Sequence, residues 1–402
     1  MSARSARRNQ LVTVAMVFAV FTGFAFVLPF LPLFVRELGV EEPEKAALWA
    51  GVLIGIAPLL AGLLAPLWGR LADRRGHKVV AVTALVGSMV MLALSAAVTR
   101  VEHLLVLRVG MGLFGGIGPL GLAMATAQAP REETGRAVGL IQAAQILSAA
   151  IGPFAGGVLA DAIGIRLTFL ATAVLCALAL GLVLAFYEER GHAAQKAAAT
   201  SPGFRAIVTL PGVAALLVVL FFVNFIGRSF TPILPLHLSV LGIAPSHLAS
   251  ATGVLISAYS VAAATSAWFL GRLSRTRPPR SLLFLTLVGG AATVLPMALV
   301  PSYELILGLA VLLGLVSGGS LTLCYTIGGL MAPEAVRTTA FGFFSGAALF
   351  GGALSPTVAG LVAHAALRGI YWVDAALYLA LAAALLRGRT LRAPLPAPPG
   401  LR

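Results

Sequence analysis

Charge is what this sequence lacks most. Charged residues make up 10% of 402 positions, apolar residues 59%, and the mean hydropathy is +0.98. A water-exposed surface carries about 25% charged residues, so the two or three soluble domains that the length would otherwise suggest are excluded. Acids are scarcer still, 14 against 28 Lys and Arg. There are two cysteines, Cys176 and Cys324, both inside apolar stretches, which leaves no disulfide framework and no metal site. The formal charge of +14 does not point to nucleic acid, because no folded soluble region remains to display a basic face. Gly-x-Ser-x-Gly, His-Glu-x-x-His and an acid pair within the apolar runs are all missing, so an intramembrane enzyme would have no catalytic constellation. Gly110-Met-Gly112-Leu-Phe-Gly115 matches the dinucleotide fingerprint letter for letter. It lies within an apolar run rather than after a strand, so its glycines read as helix packing. Neither a cofactor nor a metal is expected.

What is present is a series of long, charge-free apolar runs. Leu11–Val35, Val79–Thr99, Ser281–Tyr303, Leu305–Pro333 and Thr338–Ala363 are each long enough to cross a bilayer, which takes about 20 residues. With the less clean runs the pattern predicts twelve transmembrane helices, starting near residues 11, 48, 79, 104, 137, 166, 207, 249, 281, 305, 338 and 370. They form an all-α integral membrane protein of two six-helix halves, residues 1–187 and 207–402, joined by a polar linker at 188–206. Arg4, Arg7 and Arg8 before the first run imitate a signal peptide, but that run is long and lacks a clear cleavage site, so a retained helix is expected. Placing both termini in the cytoplasm puts 21 Lys and Arg inside and five outside, with Arg108 and Arg228 within helices. That bias fixes the expected orientation in a cell membrane.

The two halves repeat at an offset of about 203. Pro29-Phe-Leu-Pro32-Leu with Leu38-Gly39-Val40 returns as Pro232-Ile-Leu-Pro235-Leu with Leu241-Gly242-Ile243. Gly51-Val-Leu-Ile54 with Gly69-Arg70-Leu71 returns as Gly253-Val-Leu-Ile256 with Gly271-Arg272-Leu273, and Pro153 with Gly157 as Pro356 with Gly360. Parallel halves of this kind typify major facilitator transporters.

Three motifs carry the resemblance further. Gly69-Arg-Leu-Ala-Asp73-Arg74-Arg75-Gly76-His77-Lys78 joins spans two and three; its two glycines suit a tight reversal, and Asp73, its only acid, is placed to pair with Arg or a helix N-terminus. Gly152-Pro153-Phe-Ala-Gly156-Gly157 bends span five at Pro153. Ser148, Gly152, Gly156 and Ala160 make a small-residue stripe there, matched in span eleven by Gly351, Ser355, Ala359 and Ala363. Span one carries Gly23-x5-Pro29-Phe-Leu-Pro32. Together these resemble the twelve-span drug:proton antiporter branch of the major facilitator superfamily. The resemblance implies a cytoplasmic gate at Gly69, Asp73, Arg74, Gly76 and Lys78, and an antiporter motif at Gly152, Pro153, Gly156 and Gly157. Arg108 with Gly112 is similar to the family pattern tied to proton transfer, with Met111 where the family often has Gln. The second half keeps Gly271-Arg272-Leu273 without the acid, so the gate would be asymmetric.

Charges inside the helices are the remaining clues. Arg108 lies close enough to its helix start to snorkel outward, or else faces a cavity. Arg228 is deeper, with Asn224 one turn away on the same face. Gln142, Asn224, Arg228, Tyr259 and Tyr325 are the candidate cavity residues, Gln145 falling instead on the packing stripe. All fourteen acids read as lying in loops or near helix ends, with Asp374, Asp161, Glu37 and Glu304 near the outer surface. Proton coupling could use Asp161, Asp374, His237, or Asp73 acting through Arg108; the residues do not choose among them. With Arg108 and Arg228 the only charges placed within helices, a neutral or anionic substrate is expected. The expected activity is secondary export of amphipathic small molecules by a monomer in the lipid bilayer, in exchange for protons. Export of an anionic metabolite or lipid and facilitated uptake are the alternatives.

Overall fold

The computed structural model describes residues 3–114, 116–128, 134–189, 209, 212–332 and 337–387. The linker from residue 190 to 206 lies outside them. Helix is the only regular structure among the described residues, as lipid demands: a helix satisfies its own backbone donors and acceptors without water. Among the described residues twelve stretches are long and apolar enough to cross a membrane. Spans 1 to 6 are Arg7–Glu37, Pro43–Ala72, His77–Ser95, Val101–Thr126, Arg136–Ile163 and Ile165–Phe186. Spans 7 to 12 are Val213–Val240, Pro245–Leu273, Pro279–Met297, Tyr303–Met331, Ala340–Ala365 and Gly369–Arg387. Span 7 begins at Val213 rather than near residue 207, because Gly212 stands in the left-handed region at φ 80 and cannot extend the helix upstream.

Spans 1 and 7 are broken in the same way. In span 1 the helix Ala3–Val27 gives way to a 3-10 turn at Leu28–Phe30 and a short helix Leu31–Glu37. In span 7 Val213–Ser229 is followed by Leu234–Val240. Pro29 with Pro32, and Pro232 with Pro235, each remove a backbone donor where a continuous helix would need one. Both second pieces end at a left-handed glycine, Gly39 at φ 95 and Gly242 at φ 85.

The chain forms two compact units, Met1–Ala197 with Pro232–Ser257, and Ala198–Thr231 with Ala258–Arg402. In the first, span 1 packs on spans 5 and 6, span 3 on span 6, and span 2 on span 4. In the second, span 7 packs on span 11, and span 9 on spans 12 and 10. An unanticipated repeat ties down one loop in each. Arg166 Nη1 donates to the carbonyls of Ala96 (3.0 Å) and Val98 (2.7 Å), and Arg368 Nη1 donates to that of Ala298 (3.3 Å).

Candidate functional site

The gate motif is more helical than its glycines suggest. The helix from Pro43 runs unbroken to Arg75, so Gly69 is helical and takes no part in the reversal. The turn is made by Gly76 alone, at φ 96, and the next helix starts at His77. A sequence shows where glycine could turn the chain, not where the preceding helix stops. Gly76 is also fixed by space, since a Cβ there would meet the Glu189 carboxyl at 2.9 Å. That carboxylate accepts the amide protons of His77 (3.0 Å) and Lys78 (2.6 Å), where the exposed first-turn donors of span 3 favour an anion. Lys78 Nζ donates to the carbonyls of Leu184 and Tyr187, and Arg8 pairs with Glu188. The motif is thus locked to the end of span 6 by acids at 188 and 189 that the sequence pattern did not mark. Arg74 is exposed, and the Asp73 side chain lies outside the described residues.

Span 5 presents two faces. On one, Ser148 Oγ lies 3.0 Å from the Phe18 carbonyl and accepts from Thr22 Oγ1, while Gly152 meets Ala25 and Gly156 the backbone of Phe26. These glycines let span 1 approach backbone to backbone, where any Cβ would collide. On the other face Gly157 meets the Ala249 carbonyl, and Gly253 of span 8 meets that of Pro153. Pro153 lies inside the helix, where it removes one backbone donor, and the neighbouring Phe154 amide donates to Ser257 Oγ of span 8 (3.0 Å). Two turns further, the Asp161 carboxylate accepts the amide protons of Ala249 (3.2 Å) and Ser250 (2.8 Å) at the start of span 8. The motif therefore binds span 1 on one side and the opening turns of span 8 on the other.

Arg108 is not at the surface. Its side chain is 2% exposed, its guanidinium carbon sits 5.9 Å from the Phe169 ring centroid, and Nε and Nη2 have no hydrogen-bond partner among the described residues. Outward snorkelling is thereby corrected: the helix turns this residue toward span 6. Gly112, one turn on, is closed against Ala57 and Leu60 of span 2. Gln142 is exposed on span 5, while Gln145 approaches Gly118 of span 4. His237 is fully buried in the second piece of span 7.

The second unit holds a polar stripe. Phe341, Ser345, Ala348 and Gly352 fall on one face of span 11, over about 16 Å at 1.5 Å per residue. Tyr325 stacks on Phe341 at 6.0 Å and hydrogen-bonds Ser345. Asn224 Nδ2 donates to the Ala348 carbonyl (2.6 Å), and both Asn224 and Arg228 lie against Gly352. Arg228 keeps exposed surface although it stands in the middle of span 7. Tyr259, edge-on to Phe230 at 5.4 Å, lies within electrostatic reach of Arg228 and of Asp374. Asp374 lies five residues into span 12, near its end, and is 0% exposed, with Ser229 Oγ 2.5 Å from its Oδ2. The sequence gives its depth along span 12 but not the face, which turns inward onto span 7. No ion pair among the described residues engages Arg108, Arg228 or Asp374. Nor do the described residues bring together three side chains able to hold a metal.

Twelve apolar spans, a repeated pair of proline-broken helices and charged side chains within the spans define a polytopic carrier of small molecules rather than an enzyme. The Major Facilitator Superfamily profile matches residues 13–304 and 247–401, and the chain belongs to that family. It is 33% identical to Multidrug resistance protein MdtG of Proteus mirabilis (strain HI4320) over 307 residues, 76% of each chain. Against Multidrug resistance protein MdtG of Enterobacter lignolyticus (strain SCF1) it is 30% identical over 376 residues, 93% of this chain and 90% of that one. Its fold is that of a bacterial homologue of the human lysosomal transporter Spinster, solved inward-facing and unoccupied, with a TM-score of 0.73 at 17% identity over 96% of this chain and 95% of that one.

Proposed function

We propose that this transporter, as a monomer in the cell membrane with both termini in the cytoplasm, exports amphipathic small molecules by alternating access in exchange for protons. The observation that carries the reading is the span 5 motif, whose glycines and proline-containing segment engage spans 1 and 8 at once. Small residues at both interfaces permit close sliding contacts rather than interlocked side chains. The two relatives named as multidrug resistance proteins support a broad, amphipathic substrate range.

The substrate is uncharged or anionic rather than a lipophilic cation. Arg228 offers a partly exposed positive charge on a stripe with Asn224, Tyr259 and Tyr325, and among the described residues no carboxylate shares the surface of that stripe. Charges of like sign at 4 Å repel by about 4 kcal/mol at an effective dielectric of 20. Even a third of that is a tenfold bias. The test compares two ions of one shape and opposite sign. Purified protein should bind tetraphenylborate saturably and tetraphenylphosphonium weakly, and Arg228→Gln should erase the difference. Tight phosphonium binding that survives Arg228→Gln would refute the charge assignment.

A further inference from the structure

The second copy of the gate motif has lost its acid and gained a cation. Aligned on Gly69-Arg70-Leu71, it reads Gly271-Arg272-Leu-Ser-Arg275-Thr-Arg277-Pro-Pro-Arg280, so Arg275 stands where the first copy has Asp73. One function is kept. Lys78 donates to the Leu184 and Tyr187 carbonyls at the end of span 6, and Arg280, its counterpart, donates to the Leu385 carbonyl at the end of span 12. The answering acid is not kept: no residue after Asp374 is an Asp or Glu that could act as Glu189 does toward His77 and Lys78. Of the other acids in the second half, Glu304 opens span 10 on the opposite side of the membrane, as Asp374 does in span 12. Glu334, between spans 10 and 11, lies outside the described residues.

This copy also has a shape of its own. Where the helix Leu248–Leu273 ends, Ala267, Trp268, Gly271, Arg272, Arg275 and Thr276 line an open groove of about 650 Å³ in the second unit. Spacings of three and four residues put them on one face. Arg272 and Arg275 are exposed, and no hydrogen bond or ion pair among the described residues engages either guanidinium. Trp268 is 67% exposed and its indole has no acceptor among the described residues, whereas Trp68, beside the first copy, donates to the Leu113 carbonyl (3.1 Å). A positive-inside bias accounts for arginines in the loop, but not for two of them sharing a groove with an indole.

We propose that this groove binds the phosphodiester headgroup of an anionic phospholipid in the cytoplasmic leaflet. Indole rings settle at headgroup level. Arg272 and Arg275 lie about 6 and 10 Å beyond Trp268 along the helix axis, at the depth of the phosphates. A guanidinium fork matches two phosphate oxygens at once, and basic pockets on the cytoplasmic side suit anionic headgroups. A free phosphate would offer the same oxygens but would have no use for the apolar surface alongside. The exposed Phe269 and, one face-repeat deeper, the exposed Val261 give acyl chains a path down span 8.

The experiment places the full-length protein in nanodiscs containing brominated phosphatidylglycerol or brominated phosphatidylcholine. Of the emission from the four tryptophans, the part removed by Trp268→Phe reports the groove. At equal mole fraction, phosphatidylglycerol should quench that part more strongly. Arg272→Gln and Arg275→Gln should each lower the relative affinity about fivefold. Arg277→Gln removes the same charge from the same loop outside the groove and should lower it less than either. All three arginines are exposed, so the variants keep the fold. Equal quenching by the two lipids, or a preference that survives Arg272→Gln and Arg275→Gln, would overturn the proposal. So would an equal loss in Arg277→Gln, which would mark the charge of the loop rather than a site. Excess inorganic phosphate should leave the quenching unchanged; displacement by it would assign the groove to a soluble phosphate and overturn the lipid assignment.

Discussion

Span 5 lies on span 1 through Ser148, Gly152 and Gly156, and span 11 lies on span 7 through Gly351 and Ser355, whose hydroxyl reaches the Phe225 carbonyl at 2.6 Å. The two backbones meet in the same manner at equivalent positions of the repeat. The side chains beside those contacts do not match. Where the second unit has Asn224, Arg228 and Asp374, the equivalent positions of the first are Phe21, Ala25 and Thr172. Thr172 Oγ1 lies 3.0 Å from the Gly23 and the Thr168 carbonyls, where Asp374 presents a carboxyl to Ser229. The first unit instead buries Arg108 against an aromatic ring with no acid beside it. Duplication thus conserved the packing that lets helices touch, and the two copies diverged in the charge each places beside that packing.

The shared packing is the easiest part of the comparison to break. Gly156→Leu and Gly351→Leu each drive a side chain into backbone, of Phe26 and Phe221, which cannot give way as a flexible side chain would. Overpacking costs about 1–3 kcal/mol at ordinary core sites, and both variants should reach or exceed that range. Thermal unfolding in detergent should show losses of similar size. A loss in one variant alone would mean that the two interfaces are not equivalent.

The charge difference should respond to smaller changes. Arg228→Gln should weaken tetraphenylborate about tenfold, or 1.4 kcal/mol, with an unchanged melting temperature, because the Arg228 side chain retains exposed surface. Arg108→Gln should do the reverse, altering stability more than binding, since its guanidinium is sealed from the surface. Equal effects of both on binding would erase the proposed division of labour.

Two acids of the first unit sharpen the picture further. Asp161→Asn keeps shape but removes a charged acceptor from two amides of span 8; such a bond contributes about 1.5–3 kcal/mol. Labelling of a Ser250→Cys reporter should accelerate, and an unchanged rate would show that the carboxylate does not hold span 8 in place. Asp73→Asn should leave expression and monodispersity intact while transport falls severely, and normal transport would remove Asp73 from the gate.

Periodicity and length were enough to read twelve spans, their order and the repeat, because a bilayer imposes one length and one composition on every crossing segment. The glycine and proline motifs were legible for the same reason: few residue types permit a bend or a backbone contact. What escaped was azimuth. Asp374 and Arg108 each lie at a depth that the sequence specifies, but a helix of nearly uniform apolarity gives no sign of which side faces a neighbour. Glu188 and Glu189 escaped because their partners, Arg8, His77 and Lys78, lie more than a hundred residues away in the chain. The stripe of Asn224, Arg228 and Tyr325 was collected residue by residue from the sequence; that one face of span 11 aligns them came only from the structure.

Coupling to protons is the central claim, and a pH gradient across proteoliposomes tests it most directly. Vesicles with an acidic lumen should accumulate a dansylated sulfonate, an amphipathic anion too polar to leak, above its outside concentration, and nigericin should collapse that accumulation. Exchange of substrate against protons gives this result in either membrane orientation. Entry that stops at equal concentrations, with or without the gradient, would contradict the account and mark the protein as a facilitator.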